Sequence, residues 1–282
     1  MSLPPSSSPP SPIVTALRAA GCVFAEDEAR LLIAAARTPA DLAAMVDRRA
    51  AGLPLEHVLG WAEFCGLRIA VDPAVFVPRP RTEFLIRQAT ALIRQAAGPA
   101  GQALPRPRPV VVDLCCGSGA MGAALGAALE RVELHATDID PAAVRCARRN
   151  LAATGGQVYE GDLYEPLPAT LRGRVDVLVA SPPYVPTEAI GLLPPEARVH
   201  EPRVALDGGA DGLDIVRRVI TAAPLWLAPG GYLLIETSER QAPQTAETVA
   251  RNGLIPQVAG SEELDATVVI GTRPALQLGP SR

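Results

Sequence analysis

From Val110 onward, short apolar runs alternate with glycine turns and helical patterns. Continuous apolar runs of this length are typical of parallel strands that are covered on both faces. The pattern predicts five strands, at 110–114, 132–137, 158–159, 177–180 and 231–236, helices ending near 131 and 153 and spanning 242–252, and a closing antiparallel pair at 254–258 and 267–270. Strands that alternate with helices predict an α/β fold with a doubly wound, mostly parallel sheet and an antiparallel C-terminal strand.

The N-terminal part of the chain follows a different pattern. Residues 1–12 are rich in serine and proline, and we expect a disordered tail there. Residues 13–58 show helical periodicity, with Leu17 on one apolar face and Leu32 on another, and they predict a small helical domain.

Residues 59–108 connect this helical domain to the α/β domain at 109–282. Two alternating stretches on either side of Gly66 predict a β-hairpin. In the proline-braced loop Val77-Pro78-Arg79-Pro80-Arg81-Thr82-Glu83, Pro78 and Pro80 force an extended path through Arg79. We expect Thr82 to cap an amphipathic helix and residues 98–109, rich in glycine and proline, to be a linker.

Composition excludes several classes of protein. Because the formal net charge is −4 over 282 residues, we do not expect the protein to bind nucleic acid directly. No apolar run approaches the roughly 20 residues that span a bilayer, and the N-terminus lacks the features of a signal peptide. The five cysteines contain no C-x-x-C pair and the three histidines are scattered, so we expect no metal site and a reducing, cytoplasmic location without membrane contact.

Polar residues follow the first three predicted strands of the α/β domain. Gly117 and Gly119 lie in a glycine-rich turn that lets the backbone approach a ligand, and Asp138 ends the next strand, where a carboxylate can bind ribose hydroxyls. Both NAD and S-adenosylmethionine (AdoMet) contain such an adenosine. Asp113, placed to hold a methionine ammonium through water or backbone, and Asp162, placed to accept from an adenine amino group, favour AdoMet. Helix capping is the alternative role for these two acids.

The fourth strand ends in the sequence Ser181-Pro182-Pro183-Tyr184. The prolines cannot donate ladder hydrogen bonds, so the strand stops there. Ligands of open α/β sheets bind at the carboxyl ends of strands. We therefore expect Ser181 and Tyr184 to face a substrate, beside the methyl group of AdoMet.

These motifs together resemble the HemK/PrmC-type protein glutamine methyltransferases, which are class I AdoMet-dependent enzymes. The resemblance extends over nearly all of the chain after the tail. It is carried by the proline-braced loop at 77–83, Asp113-Leu-Cys-Cys-Gly-Ser-Gly119, the Ser181–Tyr184 motif, and His200-Glu-Pro-Arg-Val-Ala-Leu-Asp-Gly-Gly-Ala-Asp-Gly-Leu213. One position departs from the family, because its motif begins with asparagine where this chain has Ser181.

The resemblance implies a Rossmann-like class I methyltransferase domain and an N-terminal domain that docks a protein substrate. The implied substrate is a peptide-chain release factor, methylated on the glutamine of a Gly-Gly-Gln loop. The implied catalytic residues are Ser181, Pro182, whose carbonyl holds the substrate amide, and Tyr184, which packs against it. The residues that we expect to bind AdoMet are Arg79, Thr82, Asp113, Cys115, Gly117, Gly119, Asp138, Ile139, Asp162, Leu163 and Ser181.

Three other functions stay open at this point. A nucleic-acid amino methyltransferase shares the Pro-Pro-aromatic arrangement, because an exocyclic amine presents the same chemical problem as an amide. The second is an AdoMet-binding protein that has lost catalysis because position 181 is serine. An NAD oxidoreductase is the third, although it has no need of the fourth strand's motif.

Overall fold

The computed structural model describes residues 11–97, 108–129 and 131–275. The expected tail at 1–10 and most of the expected linker lie outside these residues. None of the helices within them is long and apolar enough to cross a membrane.

Four helices form the N-terminal module: α1 (Pro12–Ala19), α2 (Ala25–Ala35), α3 (Pro39–Ala50) and α4 (Leu55–Leu59). Ser11 and Pro12, which the sequence pattern places in the tail, begin α1, since the Ser11 hydroxyl accepts from the backbone N–H of Val14. The module has its own apolar core, which contains Leu17 and Leu32. Periodicity predicts the first three helices, whereas α4 is too short to give a periodic signal.

A β-hairpin and a long helix follow. Strands β1 (Trp61–Phe64) and β2 (Leu67–Ala70) pair antiparallel, as predicted. Cys65 and Gly66 both have positive φ, 51° and 73°, which is the backbone of a two-residue hairpin turn. Helix α5 (Glu83–Ala97) begins directly after Thr82, as the sequence predicts. Thr82 itself lies in a short 3-10 helix at Pro80–Thr82, so it is already helical and is not the expected N-cap.

The rest of the chain forms one seven-stranded sheet and its helices. The strands are β3 (Val110–Leu114), β4 (Glu133–Asp138), β5 (Gln157–Glu160), β6 (Val175–Ala180), β7 (Leu227–Thr237), β8 (Ile255–Ser261) and β9 (Ala266–Thr272). The helices are α6 (Ala120–Ala128), α7 (Pro141–Leu151), α8 (Pro195–His200), α9 (Asp214–Trp226) and α10 (Ala242–Arg251). The sequence pattern predicts neither α8 nor α9.

The strand order is β5-β4-β3-β6-β7-β9-β8, with β9 antiparallel to both of its neighbours and the other pairs parallel. This is the predicted doubly wound α/β fold. Alternate residues of the central strands enter two cores: Val111 and Val177 pack on the side of α5 and α6, while Val112 and Leu178 pack on the side of α9 and α10. Because β3 and β6 are covered on both faces, their carboxyl ends are held rigidly at one edge of the sheet.

Candidate active site

A cavity of about 1310 Å³ opens at the carboxyl edge of the sheet. The ends of β3 to β7 form its floor, and the proline-braced loop and the segment 185–207 form its walls. It brings together most of the predicted site residues: Arg79, Thr82, Cys115, Gly117, Asp138, Ile139, Asp162, Leu163, Ser181, Pro182 and Tyr184. The residues expected to bind AdoMet and those expected to bind the substrate that accepts the methyl group thus line one cavity.

The loop after β3 forms one half of this cavity. Cys115 and Gly117 have positive φ, 56° and 54°, and the N–H of Gly117 donates to Oδ2 of Asp138 at 2.8 Å. Oδ1 of Asp138 accepts from the N–H of Asp140 at 2.9 Å. Burial raises the pKa of Asp138, and the backbone donors oppose that rise. Asp138 therefore fixes the glycine loop from the neighbouring strand, while the side chain of Ile139, 52% exposed, presents an apolar surface beside it.

The end of β5 contributes Asp162 and Leu163. Oδ2 of Asp162 accepts from Nη2 of Arg218 on α9 at 2.6 Å, with about a third of the Asp162 side chain exposed. Leu163 has a positive φ of 48°, which turns the chain sharply after the strand. The predicted adenine contact of Asp162 stays a prediction, and Arg218 is a cavity residue that the sequence analysis did not find.

Asp113 and Gly119 do not line the cavity. Asp113 is fully buried, and its Oδ2 accepts from the N–H of Gly122 at 2.9 Å, so it braces the first turn of α6 from below. Gly119 has a φ of 78°, and a Cβ there would press on the backbone of Ala147 in α7. This glycine serves the turn and close helix packing. The predicted contacts of Asp113 and Gly119 with AdoMet stay predictions.

Burial raises the pKa of Asp113 to about 8, with the Gly122 N–H lowering it and Asp138 raising it further. The unfolded chain releases this proton near pH 4, whereas the folded protein keeps it until about pH 8. Folding therefore takes up a proton over this window, and stability falls as the pH rises through it. We expect Asp113→Asn, which stays neutral, to gain about 4 kcal/mol on the wild type between pH 5 and pH 8, close to 1.4 kcal/mol per pH unit, measured by urea unfolding. A constant difference across this range would contradict the buried neutral acid.

The other half of the cavity is built around Tyr184. The phenol oxygen of Tyr184 accepts from Nη2 of Arg81 at 2.6 Å and lies 3.4 Å from Oε1 of Glu236. Nε of Arg81 donates to the same Glu236 oxygen at 3.2 Å. Burial, with the Glu236 charge, raises the pKa of Tyr184 to about 12, so the phenol stays neutral. Arg81 and Glu236 thus hold the Tyr184 ring through its phenol oxygen.

Arg79 forms an ion pair with a buried carboxylate, and its predicted contact with AdoMet stays a prediction. Its Nη2 donates to both carboxylate oxygens of Glu201 at 2.6 Å, and the N–H of Val77 donates to Oε1 of Glu201 at 3.1 Å. Glu201 has a side chain that is 1% exposed. Although Arg79 lines the cavity, this pair primarily fastens the proline-braced loop to the segment after α8.

The glycine-containing segment Asp207–Leu213 packs closely against the backbone of Tyr184 and Val185. The carbonyl of Tyr184 accepts from Nε2 of Gln241, and the carbonyl of Val185 accepts from the N–H of Gly208. Gly212 has a φ of 79°, and a Cβ on it would overlap the carbonyl oxygen of Tyr184. A Cβ on Gly208 would likewise overlap the carbonyl oxygen of Pro183, so these two glycines are required by close contact with Ser181-Pro182-Pro183-Tyr184, the acceptor motif.

We expect Gly212→Ala to destabilise the fold by about 2 kcal/mol, because it adds both backbone strain and a clash with the Tyr184 carbonyl. Chemical denaturation measures this difference. Gly191→Ala is the matched control, since Gly191 has an ordinary φ and no atom lies within 4 Å of a Cβ added there. Equal stabilities of the two variants would show that the Asp207–Leu213 segment does not support Tyr184.

The cavity offers the partners that AdoMet requires. Five buried side-chain polar atoms of the described residues have no hydrogen-bond partner, and three of them belong to residues that line the cavity at the ends of strands: Thr137 Oγ1, Glu236 Oε2 and Thr237 Oγ1. A Cβ added to Gly117 would meet no atom within 4 Å, so the loop leaves room for a ligand. The residues present fit a nucleoside with hydroxyl groups and a charged tail.

Comparison with known proteins supports this assignment. The family model for the methyltransferase small domain matches residues 101–193. A release factor glutamine methyltransferase of Geobacter sulfurreducens is 38% identical over 83% of this chain and 79% of its own length, and one of Mycolicibacterium smegmatis is 37% identical over 84% and 82%. A methyltransferase structure from Pyrococcus furiosus, 17% identical, aligns with a TM-score of 0.52 over 74% of this chain and 90% of that one. The chain therefore belongs to the release factor glutamine methyltransferase family, and it is an AdoMet-dependent enzyme of the class I methyltransferase fold.

Proposed function

We propose that this protein methylates the side-chain amide nitrogen of a glutamine in a peptide-chain release factor. The observation that carries the proposal is the placement of Ser181-Pro182-Pro183-Tyr184 beside the glycine loop in one cavity. The relatives named above supply the substrate, since both are release factor glutamine methyltransferases. The docking role of the N-terminal module and the cytoplasmic location stay predictions.

The cofactor would be held between the ends of β3, β4 and β5. Asp138 would accept from the ribose hydroxyls, Asp162 from the adenine amino group, and Ile139 would pack against the adenine ring. Bound AdoMet supplies an electrophilic methyl group on a positively charged sulfur. The backbone of Cys115 and Gly117 would shape the space for the methionine part.

An amide nitrogen is a weak nucleophile because its lone pair is delocalised over the carbonyl group. The protein must therefore hold the amide so that the nitrogen faces the methyl group, at roughly 3 Å. The carbonyl of Pro182 would accept one N–H of the amide, and Ser181 would accept through its shorter side chain or through water. Tyr184 would pack on the amide plane and exclude water. Acceptors aimed at the N–H groups also stabilise the positive charge that develops on the nitrogen.

Mass spectrometry tests this function directly. Purified protein, AdoMet and a release factor should yield a mass gain of one methylene on the glutamine of the Gly-Gly-Gln loop. The release factor with this glutamine changed to alanine is the control and should gain no methyl group. Methylation elsewhere in the release factor, or none, would contradict the proposal.

Labelled AdoMet in a cell lysate separates the alternatives that the sequence leaves open. Label that survives nuclease and is lost with protease indicates a protein acceptor. Label that is lost with nuclease indicates a nucleic-acid amine, and no label indicates a protein that binds AdoMet without catalysis.

A further inference from the structure

Glu236 lies beside the acceptor motif on the neighbouring strand. β6 and β7 are parallel, and Ala180 pairs with Ile235 at the end of the register. Glu236 is the next residue of β7, and Ser181 directly follows the last residue of β6, while adjacent strands lie about 4.8 Å apart. Both residues line the cavity, so Glu236 lies near the first residue of the acceptor motif.

Only one oxygen of this carboxylate has a partner in the described structure. Oε1 accepts from Nε of Arg81 and lies within hydrogen-bond distance of the Tyr184 phenol, whereas Oε2 is buried without a hydrogen bond. The side chain is 4% exposed, and Glu236 belongs to the cavity lining. A buried carboxylate oxygen without a donor costs free energy, and a substrate that brings an N–H group recovers it.

We infer that Glu236 is a catalytic residue whose Oε2, in place of the shorter side chain of Ser181, accepts the second N–H of the substrate amide. The inference rests on the proposed glutamine substrate. Arg81 is the positioning residue, because its hydrogen bond to Oε1 leaves Oε2 of Glu236 free for the substrate. Pro182 and Glu236 then accept the two N–H groups of one amide.

The same carboxylate completes the proton balance of the reaction. The amide nitrogen forms a bond to the methyl carbon as the carbon–sulfur bond breaks, and that bonding pair stays on sulfur. The methylated nitrogen then carries one proton too many. Glu236 Oε2, already hydrogen-bonded to that proton, accepts it and passes it to water, which leaves the neutral N-methyl amide.

This arrangement also selects glutamine against glutamate. A glutamate side chain at the same place has no N–H to donate and brings a second negative charge beside Glu236. Leaving a charged acceptor unpaired weakens binding by roughly 10- to 100-fold. In Glu236→Gln the amide oxygen can stay on Arg81, so the NH₂ group faces the substrate and the preference for glutamine is removed.

The test measures binding of a release factor with glutamine or with glutamate in its Gly-Gly-Gln loop, to enzyme loaded with S-adenosylhomocysteine so that no turnover occurs. We expect wild type to bind the glutamine form roughly 10- to 100-fold more tightly, and Glu236→Gln to bind the two forms within about 3-fold of each other. Turnover of Glu236→Gln should fall by roughly 10- to 100-fold while its AdoMet affinity, measured by calorimetry, stays within about 2-fold of wild type. That last measurement also shows that the variant is folded.

Glu239→Gln is the matched control, because Glu239 is an exposed carboxylate at the rim of the same cavity. It should keep the discrimination and the turnover of wild type. If Glu236→Gln keeps the wild-type preference for glutamine, the inference is wrong although the proposed function stands. If wild type transfers no methyl group to the release factor, the proposed function fails and the inference fails with it.

Discussion

Tyr184→Ala should lower kcat by roughly 100- to 1,000-fold while AdoMet affinity changes little. Tyr184 lines the cavity, and its phenol oxygen is held by Arg81 and lies near Glu236. Loss of the ring opens the acceptor pocket to water and frees the substrate amide to leave the line of attack. Single-turnover kinetics with AdoMet and release factor measure the loss, and calorimetry measures AdoMet binding.

Tyr184→Phe is the control that separates the ring from its hydroxyl group. It keeps the packing surface and removes only the oxygen that Arg81 and Glu236 contact, so we expect a loss of about 10-fold or less. Intact turnover in Tyr184→Ala together with lost AdoMet binding would place this residue in the cofactor site and overturn its assignment.

Most of the sheet could be predicted because its signals are local. Buried parallel strands such as β3 and β6 are continuous apolar runs, and Gly66 marks the hairpin because the two-residue turn there requires positive φ. Helix α9 escaped prediction although it is 13 residues long. It contains Pro224, which local rules treat as a helix breaker, and packing of Val219 and Ile220 against the sheet outweighs that preference.

The positions of the candidate site residues could be predicted where each residue lies at the end of its own strand. Asp138, Asp162 and Ser181 are examples, because the carboxyl ends of parallel strands meet at one edge whatever the details of packing. Asp113 shows the limit of that argument. It is the second-last residue of β3, yet its buried side chain accepts from the N–H of Gly122 in α6, and only the fold shows this pairing.

Pairings between distant segments could not be predicted from one sequence. Arg81 and Glu236 are 155 residues apart, and Arg79 and Glu201 are 122 apart. In the sequence, arginines in the proline-braced loop are equally suited to a cofactor carboxylate, a substrate or an internal ion pair. The structure pairs both arginines with internal carboxylates, so that the loop forms a wall of the cavity and supports Tyr184.

Asp138→Ala should weaken AdoMet binding by roughly 100-fold, equivalent to about 2.7 kcal/mol. Two effects contribute. The variant loses the carboxylate that we assign to the ribose hydroxyls, and it releases the N–H groups of Gly117 and Asp140, which hold the glycine loop and the start of α7. Calorimetric titration with AdoMet measures the sum.

Asp140→Ala and Asp138→Asn separate these effects. Asp140 caps α7 through a hydrogen bond from the N–H of Ala142, so its loss disturbs the helix start and leaves the Asp138 carboxylate in place. We expect a loss of affinity of no more than about 5-fold. Asp138→Asn keeps one acceptor for the Gly117 N–H and loses the charge, so it should lie between wild type and alanine. Unchanged affinity in Asp138→Ala would remove Asp138 from the ribose site, whereas equal losses in Asp138→Ala and Asp140→Ala would assign its whole effect to the start of α7.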